Sequence, residues 1–325
     1  MSKRPRFASR RKRSNSWLAV LAAVTVLAAV MYVALQRSIT TAPVEGAISQ
    51  FPHIHGMAVD PRDPEVLWLG THGMLIKVVN RARWVRVGNA DYDLMGFNVH
   101  PTLAGVLLTS GHPGPGDRRP NPLGLEISRD AGLSWTPVSM EGLVDFHAMS
   151  VSPADPKVIY AWSTGSRPGF YRSVDGGRSW SLVPAPALRQ VFALAASPTR
   201  PREVVAATDI GLLRSSDAGE TWTPVTADLS QVTVTAVVIH PSQPEVWYAY
   251  SVAPHLGFAR SPDAGKTWTS LGFFLGERDA VGYLAVHPTD PNVLYMATFE
   301  SHLFWSGDGG KTRQQLVRAG RVITP

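Results

Sequence analysis

Ser128-Arg129-Asp130-Ala131-Gly132-Leu133-Ser134-Trp135 decides the fold, because the chain repeats it. Ser173-Val174-Asp175-Gly176-Gly177-Arg178-Ser179-Trp180 comes next. Ser215-Ser216-Asp217-Ala218-Gly219-Glu220-Thr221-Trp222 and Ser261-Pro262-Asp263-Ala264-Gly265-Lys266-Thr267-Trp268 follow. A fifth copy, Ser306-Gly307-Asp308-Gly309-Gly310-Lys311-Thr312-Arg313, has Arg where the others have Trp, and a degenerate first copy ends at Trp84. From Trp84 to Arg313 the steps are 51, 45, 42, 46 and 45 residues. A fixed period of this size marks a repeat architecture.

Upstream of each copy two apolar runs flank a Pro-containing turn. Gly56-Met57-Ala58-Val59-Asp60-Pro61 precedes Val66-Leu67-Trp68, and Tyr283-Leu284-Ala285-Val286-His287-Pro288 precedes Val293-Leu294-Tyr295. These two strands, a third entering the Ser-x-Asp-x-Gly turn and a fourth leaving it make four per repeat. Four strands in about 45 residues is a propeller blade. The sequence therefore predicts an all-β, six-bladed β-propeller over residues 51–325. Within the repeated turn, Asp accepts hydrogen bonds from nearby backbone N–H groups and Gly permits positive φ. Asp130, Asp175, Asp217, Asp263 and Asp308 are accordingly read as structural residues.

The motif Ser-x-Asp-x-Gly-x-Thr/Ser-Trp resembles the Asp-box, or bacterial neuraminidase (BNR) repeat. Over about residues 51–325 the chain is similar to Asp-box propellers such as sortilin-type ectodomains, photosystem II assembly factor propellers and bacterial glycosylhydrolase-like repeat proteins. The resemblance implies Asp-box turns at the outer edge, away from the channel. It leaves function open, because these repeats occur in enzymes, receptors and scaffolds alike. A sialidase of this family would carry an Arg-Ile-Pro near the start of the domain; this chain has none.

Composition restricts the remaining classes. The chain of 325 residues is 44% hydrophobic and 17% charged, so a large core is available. Its formal charge is +6, but seven basic residues and no acid lie in residues 1–16. The rest holds 24 Lys+Arg against 25 Asp+Glu, a net of −1. A near-neutral folded part argues against nucleic acid as a partner. There is no Cys, hence no disulfide framework and no thiolate ligand.

Trp17–Leu35 carries no charge and is apolar apart from Thr25 and Tyr32. As a helix it would span roughly 29 Å, about the thickness of a bilayer's hydrocarbon core. The basic residues before it place its N-terminus in the cytoplasm. It is longer than the ~7–15-residue apolar core of a cleaved signal peptide, so a retained transmembrane helix is expected. The predicted organisation is a cytoplasmic tail (1–16), a cytoplasmic-membrane anchor (17–36), a tether (37–50) and an extracytoplasmic propeller (51–325).

Chemistry is expected at the channel mouth, where the innermost strands begin near His53, Asp93, Asp145, Val191, Val232 and Ala280. Histidines gather on the side of blades 1 to 3. His53 and His55, two apart, would face the same way on a strand. His72, His112 and His147 lie at loop or strand-start positions, with Asp93, Met95 and Asp145 beside them. Converging imidazoles bind zinc or copper, and a thioether from Met95 would tip the choice toward copper. His100, His240 and His287, each before the Pro of a repeat turn, read instead as surface turn residues. The function expected is that of a binding or assembly protein with a metal ligand. The alternatives are a glycoside hydrolase and a protein-interaction scaffold without small ligand. The hydrolase would use carboxylates such as Asp93 and Asp145, or Glu277, Asp279 and Glu300 in blade 6. A glycan or a protein would then be the partner.

Overall fold

The computed structural model describes residues 46–276 and 278–323. Among them every regular element is a strand, and the strands form six antiparallel sheets, one per repeat. The innermost strands are Ile54–Val59, Met95–Val99, Phe146–Val151, Val191–Ala196, Val234–Ile239 and Val281–Val286. In each sheet the next three strands pair outward in sequence order. Six apolar clusters hold the ring, each shared by two neighbouring blades; the cluster of Ile54, Leu69, Trp84, Tyr295 and Leu316 joins blade 6 to blade 1. The six-bladed expectation is thus met. No described helix is long and apolar enough to cross a membrane, and the expected span Trp17–Leu35 lies outside the described residues.

The repeated octapeptide folds the same way each time. Ser128 Oγ donates to Asp130 Oδ1 at 2.8 Å and accepts from the Gly132 N–H at 2.7 Å. Asp130 then accepts from the Ser134 N–H at 2.9 Å and its hydroxyl at 2.5 Å. The hydroxyl contacts of Ser179, Thr221, Thr267 and Thr312 hold Asp175, Asp217, Asp263 and Asp308 down to a pKa of about 2. The Trp N–H closes the turn on its own Gly carbonyl at 3.1 Å (Trp180) and 3.0 Å (Trp222, Trp268). Where Trp is lost, Arg313 substitutes for both of its jobs. Its guanidinium donates to Gly310 O at 2.6 Å and lies 4.6 Å over the Phe273 ring.

The residue before each inter-strand Pro caps the turn between the first two strands, through Asp60, His100, Ser152, Ser197, His240 and His287. The three histidines accept at Nδ1, at 3.1, 3.0 and 3.0 Å from Leu103, Gln243 and Asp290 N–H. They are turn residues as expected, but His240 is fully buried and not at the surface.

Ring closure has no signature in the repeats. Gly46–Ala47 adds a fifth strand outside blade 1, and Phe51 N–H and Gln50 bind Gly320 and Arg321 of blade 6. Residues 46–50, read from sequence as the end of the tether, therefore belong to the ring.

A second regularity positions the site. Each innermost strand bulges near its start, holding one residue more than the stretch of second strand opposite it. In blade 1, Ile54 pairs with Thr71 and Gly56 with Gly70, leaving His55. In blade 3, Phe146 pairs with Ser163 and Ala148 with Trp162, leaving His147. A bulge turns its extra side chain away from the sheet's alternation.

Candidate metal centre

Two groups of the same composition stand side by side at the mouth: His55, His72 and Asp93, and His112, Asp145 and His147. They share a plan. A His just beyond the second strand of one blade reaches the Asp that precedes the innermost strand of the next. His72 of blade 1 thus meets Asp93 of blade 2, and His112 of blade 2 meets Asp145 of blade 3. A bulge histidine completes each group, His55 from blade 1 in the first and His147 from blade 3 in the second.

In the first group Asp93 Oδ1 lies 2.5 Å from His55 Nδ1 and 3.2 Å from His72 Nδ1. The His55 and Asp93 side chains are only 17% and 12% exposed, so this contact is largely shielded from water. The two imidazoles meet edge to face at 5.8 Å. Burial pushes the Asp93 carboxyl up, but His55, His72 and His112 together draw it below the usual carboxylate range.

In the second group Asp145 Oδ2 lies 2.6 Å from His147 Nε2 and 3.1 Å from His112 Nε2, and its side chain is only 4% exposed. Its other oxygen is buried without a partner. His112 is oriented from behind, with Nδ1 2.7 Å from Asn121 Oδ1. The amide oxygen can only accept, so Nδ1 carries the proton. The neutral ring then presents a lone pair at Nε2 to a carboxylate oxygen. Two acceptors at that distance need a cation between them. In the absence of metal a proton supplies it: burial lowers the His112 pKa, but Asn121, Asp145 and Asp93 outweigh burial and raise it.

The groups are joined through the backbone. The Asp93 N–H donates to His112 O at 3.1 Å. Gly111, at φ +126°, passes so close that an added Cβ would lie 2.2 Å from Asp93 O.

Four of the five sequence-predicted histidines thus converge, with both aspartates. His53 does not: it precedes the strand, its side chain is exposed, and the bulge at His55 breaks the alternation that would have aligned the two. Met95 is 8% exposed at the head of its strand, which follows directly on Asp93 and Leu94. Asp279 caps the Ala280 and Glu300 N–H groups at 2.9 and 3.2 Å, and Glu277 lies outside the described residues. Asn121 was not legible as a site residue. Its only sequence signal is its place in the Gly/Pro-rich loop that begins at His112.

The Sortilin-Vps10 family profile (sortilin, neurotensin receptor 3) matches residues 210–321. That segment excludes every residue of the two groups. No curated protein matches the chain. Among solved structures, the GH74 xyloglucanase from Xanthomonas campestris is similar at 20% identity and TM-score 0.54, over 80% of this chain and 45% of that one. The GH74 enzyme from Niastella koreensis is similar at 16% identity and TM-score 0.59, over 85% and 47%. YCF48 from Cyanidioschyzon merolae is similar at 15% identity and TM-score 0.50, over 87% and 90%. The chain spans less than half the length of these GH74 enzymes, and at such identities the likeness is one of fold. The resemblance read from the repeats is supported: this is a six-bladed propeller with sortilin-like, GH74 and YCF48 propellers as its neighbours.

Proposed function

We propose that the protein is a divalent-metal-binding propeller, held at the outer face of the cytoplasmic membrane by its apolar N-terminal segment, and acting as a binding or assembly protein. The observation that carries this reading is the His112–Asp145 pair. A lone pair fixed by Asn121 faces a buried carboxylate, which is the outer-shell arrangement that orients metal-ligating histidines. With metal–ligand bonds of about 2.0–2.1 Å, tetrahedral ligand atoms sit ~3.3 Å apart. The donors of each group lie within 4.8 Å of one another, so small ring rotations suffice.

Imidazole and carboxylate donors without thiolate suit Zn²⁺ and Cu²⁺. Three protein ligands leave a coordination position open, so each ion could hold an exogenous donor. The hydrolase reading gains less support, because Asp93 and Asp145 are each already engaged by two imidazoles.

Equilibrium dialysis of the purified chain against micromolar Zn²⁺ or Cu²⁺, followed by elemental analysis, tests the proposal. Two ions per chain are expected for the wild type and one for His55→Ala or His147→Ala. A wild type with no metal above the buffer level refutes it.

A further inference from the structure

The six innermost strands enclose a cavity of about 250 Å³. No Asp, Glu, Lys or Arg lines it; Met57, Phe97, Met149, Phe192, Leu194 and Val237 are typical of its wall. The few polar groups there are mostly spent. Asn98 Nδ2 donates to Gly96 O at 3.0 Å and Met149 O at 2.7 Å, and Ser150 Oγ accepts from Ala196 N–H at 3.0 Å. Beside Asn98 Oδ1 and the Ser150 hydroxyl proton, the polar side chains that line it are His55, His147 and Tyr283. The two histidines come one from each His–Asp group, so both groups border the same cavity. Tyr283 belongs to blade 6 and lies near enough to Asp93 to feel its charge. An apolar chamber with a few polar groups converging at one end is the form of a small-molecule site.

We infer that this channel takes a medium-chain carboxylate, its apolar tail among the innermost strands and its carboxylate on the metal held by the His–Asp groups at the mouth. The inference rests on the metal reading above, because the open coordination position is what receives the head group. The uncharged wall selects an apolar body and offers no counter-charge inside the channel. The head group must therefore stay at the end where His55 and His147 stand. Size sets the length: a dry cavity of ~150 Å³ accommodates benzene, so about 250 Å³ holds roughly ten non-hydrogen atoms. An eight-carbon carboxylate has that size. Tyr283, from the neighbouring blade 6, adds a hydroxyl to the lining of the same channel.

The test is calorimetry with sodium octanoate on the full chain in lipid nanodiscs, Zn²⁺-loaded or chelator-treated, against empty nanodiscs, with 1-octanol as the probe lacking the anionic head. Octanoate is expected to bind the loaded protein at least about tenfold more tightly than the chelated protein, and octanol to show no metal dependence. Ala193→Trp and, separately, Ala58→Phe put bulk into the cavity wall. Both should abolish octanoate binding while two Zn²⁺ still bind. Octanoate binding that is indifferent to Zn²⁺, or to whichever of these variants keeps its Zn²⁺, overturns the inference and leaves the metal reading standing. Failure of Zn²⁺ itself to bind refutes the metal reading, and the inference falls with it.

Discussion

Asp145→Asn isolates the contribution of one charge. Asn has the shape of Asp but carries no negative charge and cannot serve as an anionic ligand. Asp145 Oδ2 is the acceptor for both His147, at 2.6 Å, and His112, at 3.1 Å, and the side chain is 4% exposed, so little water can replace the lost charge. Even outer-shell changes cost 10–100-fold in metal affinity. Loss of a ligand charge at a buried site should cost at least about 100-fold, or ~2.7 kcal/mol. Asp93 is untouched, so the His55–His72–Asp93 group keeps its ion. Calorimetric titration of Zn²⁺ into wild type and variant should show two ions at micromolar metal in the first and one in the second. Above the raised His112 pKa, where the charged pair no longer contributes, the metal-free melting temperatures should stay within a few degrees, because the amide still fills the same space. An Asp145→Asn protein that binds two ions with unchanged affinity would refute the assignment of the second group.

The same geometry sets further outcomes. The raised His112 pKa makes the protonated His112–Asp145 pair stabilise the metal-free fold fully below about pH 6.5, a contribution lost as pH rises through the raised value. Zn²⁺ needs the deprotonated ring, so its affinity at this group should fall about tenfold per pH unit below that value, read by titration from pH 8 to 5. Gly111→Ala must hold a non-glycine residue at φ +126° with its Cβ against Asp93 O. It should cost about 1–3 kcal/mol in thermal unfolding and weaken Zn²⁺ at both groups. Phe51 is 7% exposed and stacked on Trp84 with centroids 6.1 Å apart. Phe51→Ala should loosen the blade 6–blade 1 seam at a cost of ~3–5 kcal/mol in denaturant unfolding, with the Zn²⁺ count unchanged. Ser128→Ala orphans the buried Gly132 N–H and should cost about 1–3 kcal/mol by the same assay, again without touching metal.

The sequence was informative wherever one physical device recurs. Ser, Asp, Gly and Trp at fixed offsets are the hydrogen-bonded turn itself, so Asp130 and its four counterparts could be read as structural from one chain. Asp93 and Asp145 were visible as strand-start residues because the apolar runs fixed where strands begin. The bulge was not visible, since it leaves no residue signature and differs from a regular strand only in pairing. That is why His53 and His55 read as a pair when only His55 turns to the mouth. Phe51 and the short strand Gly46–Ala47 fall outside any repeat, so ring closure could be found only in three dimensions. Asn121 acts from the far end of a loop, and nothing in its neighbours predicts that it meets His112. The swap of Trp for Arg at position 313 looked like decay of the motif; in the fold the guanidinium keeps both the hydrogen bond and the ring contact.

Anomalous diffraction at the zinc edge from crystals equilibrated with Zn²⁺ tests the central claim most directly. Two peaks are predicted, one among His55, His72 and Asp93 and one among His112, Asp145 and His147, each about 2.0–2.2 Å from its ligand atoms. Crystals that show no peak at either group, or zinc bound only at other surface histidines such as His53, would contradict the account.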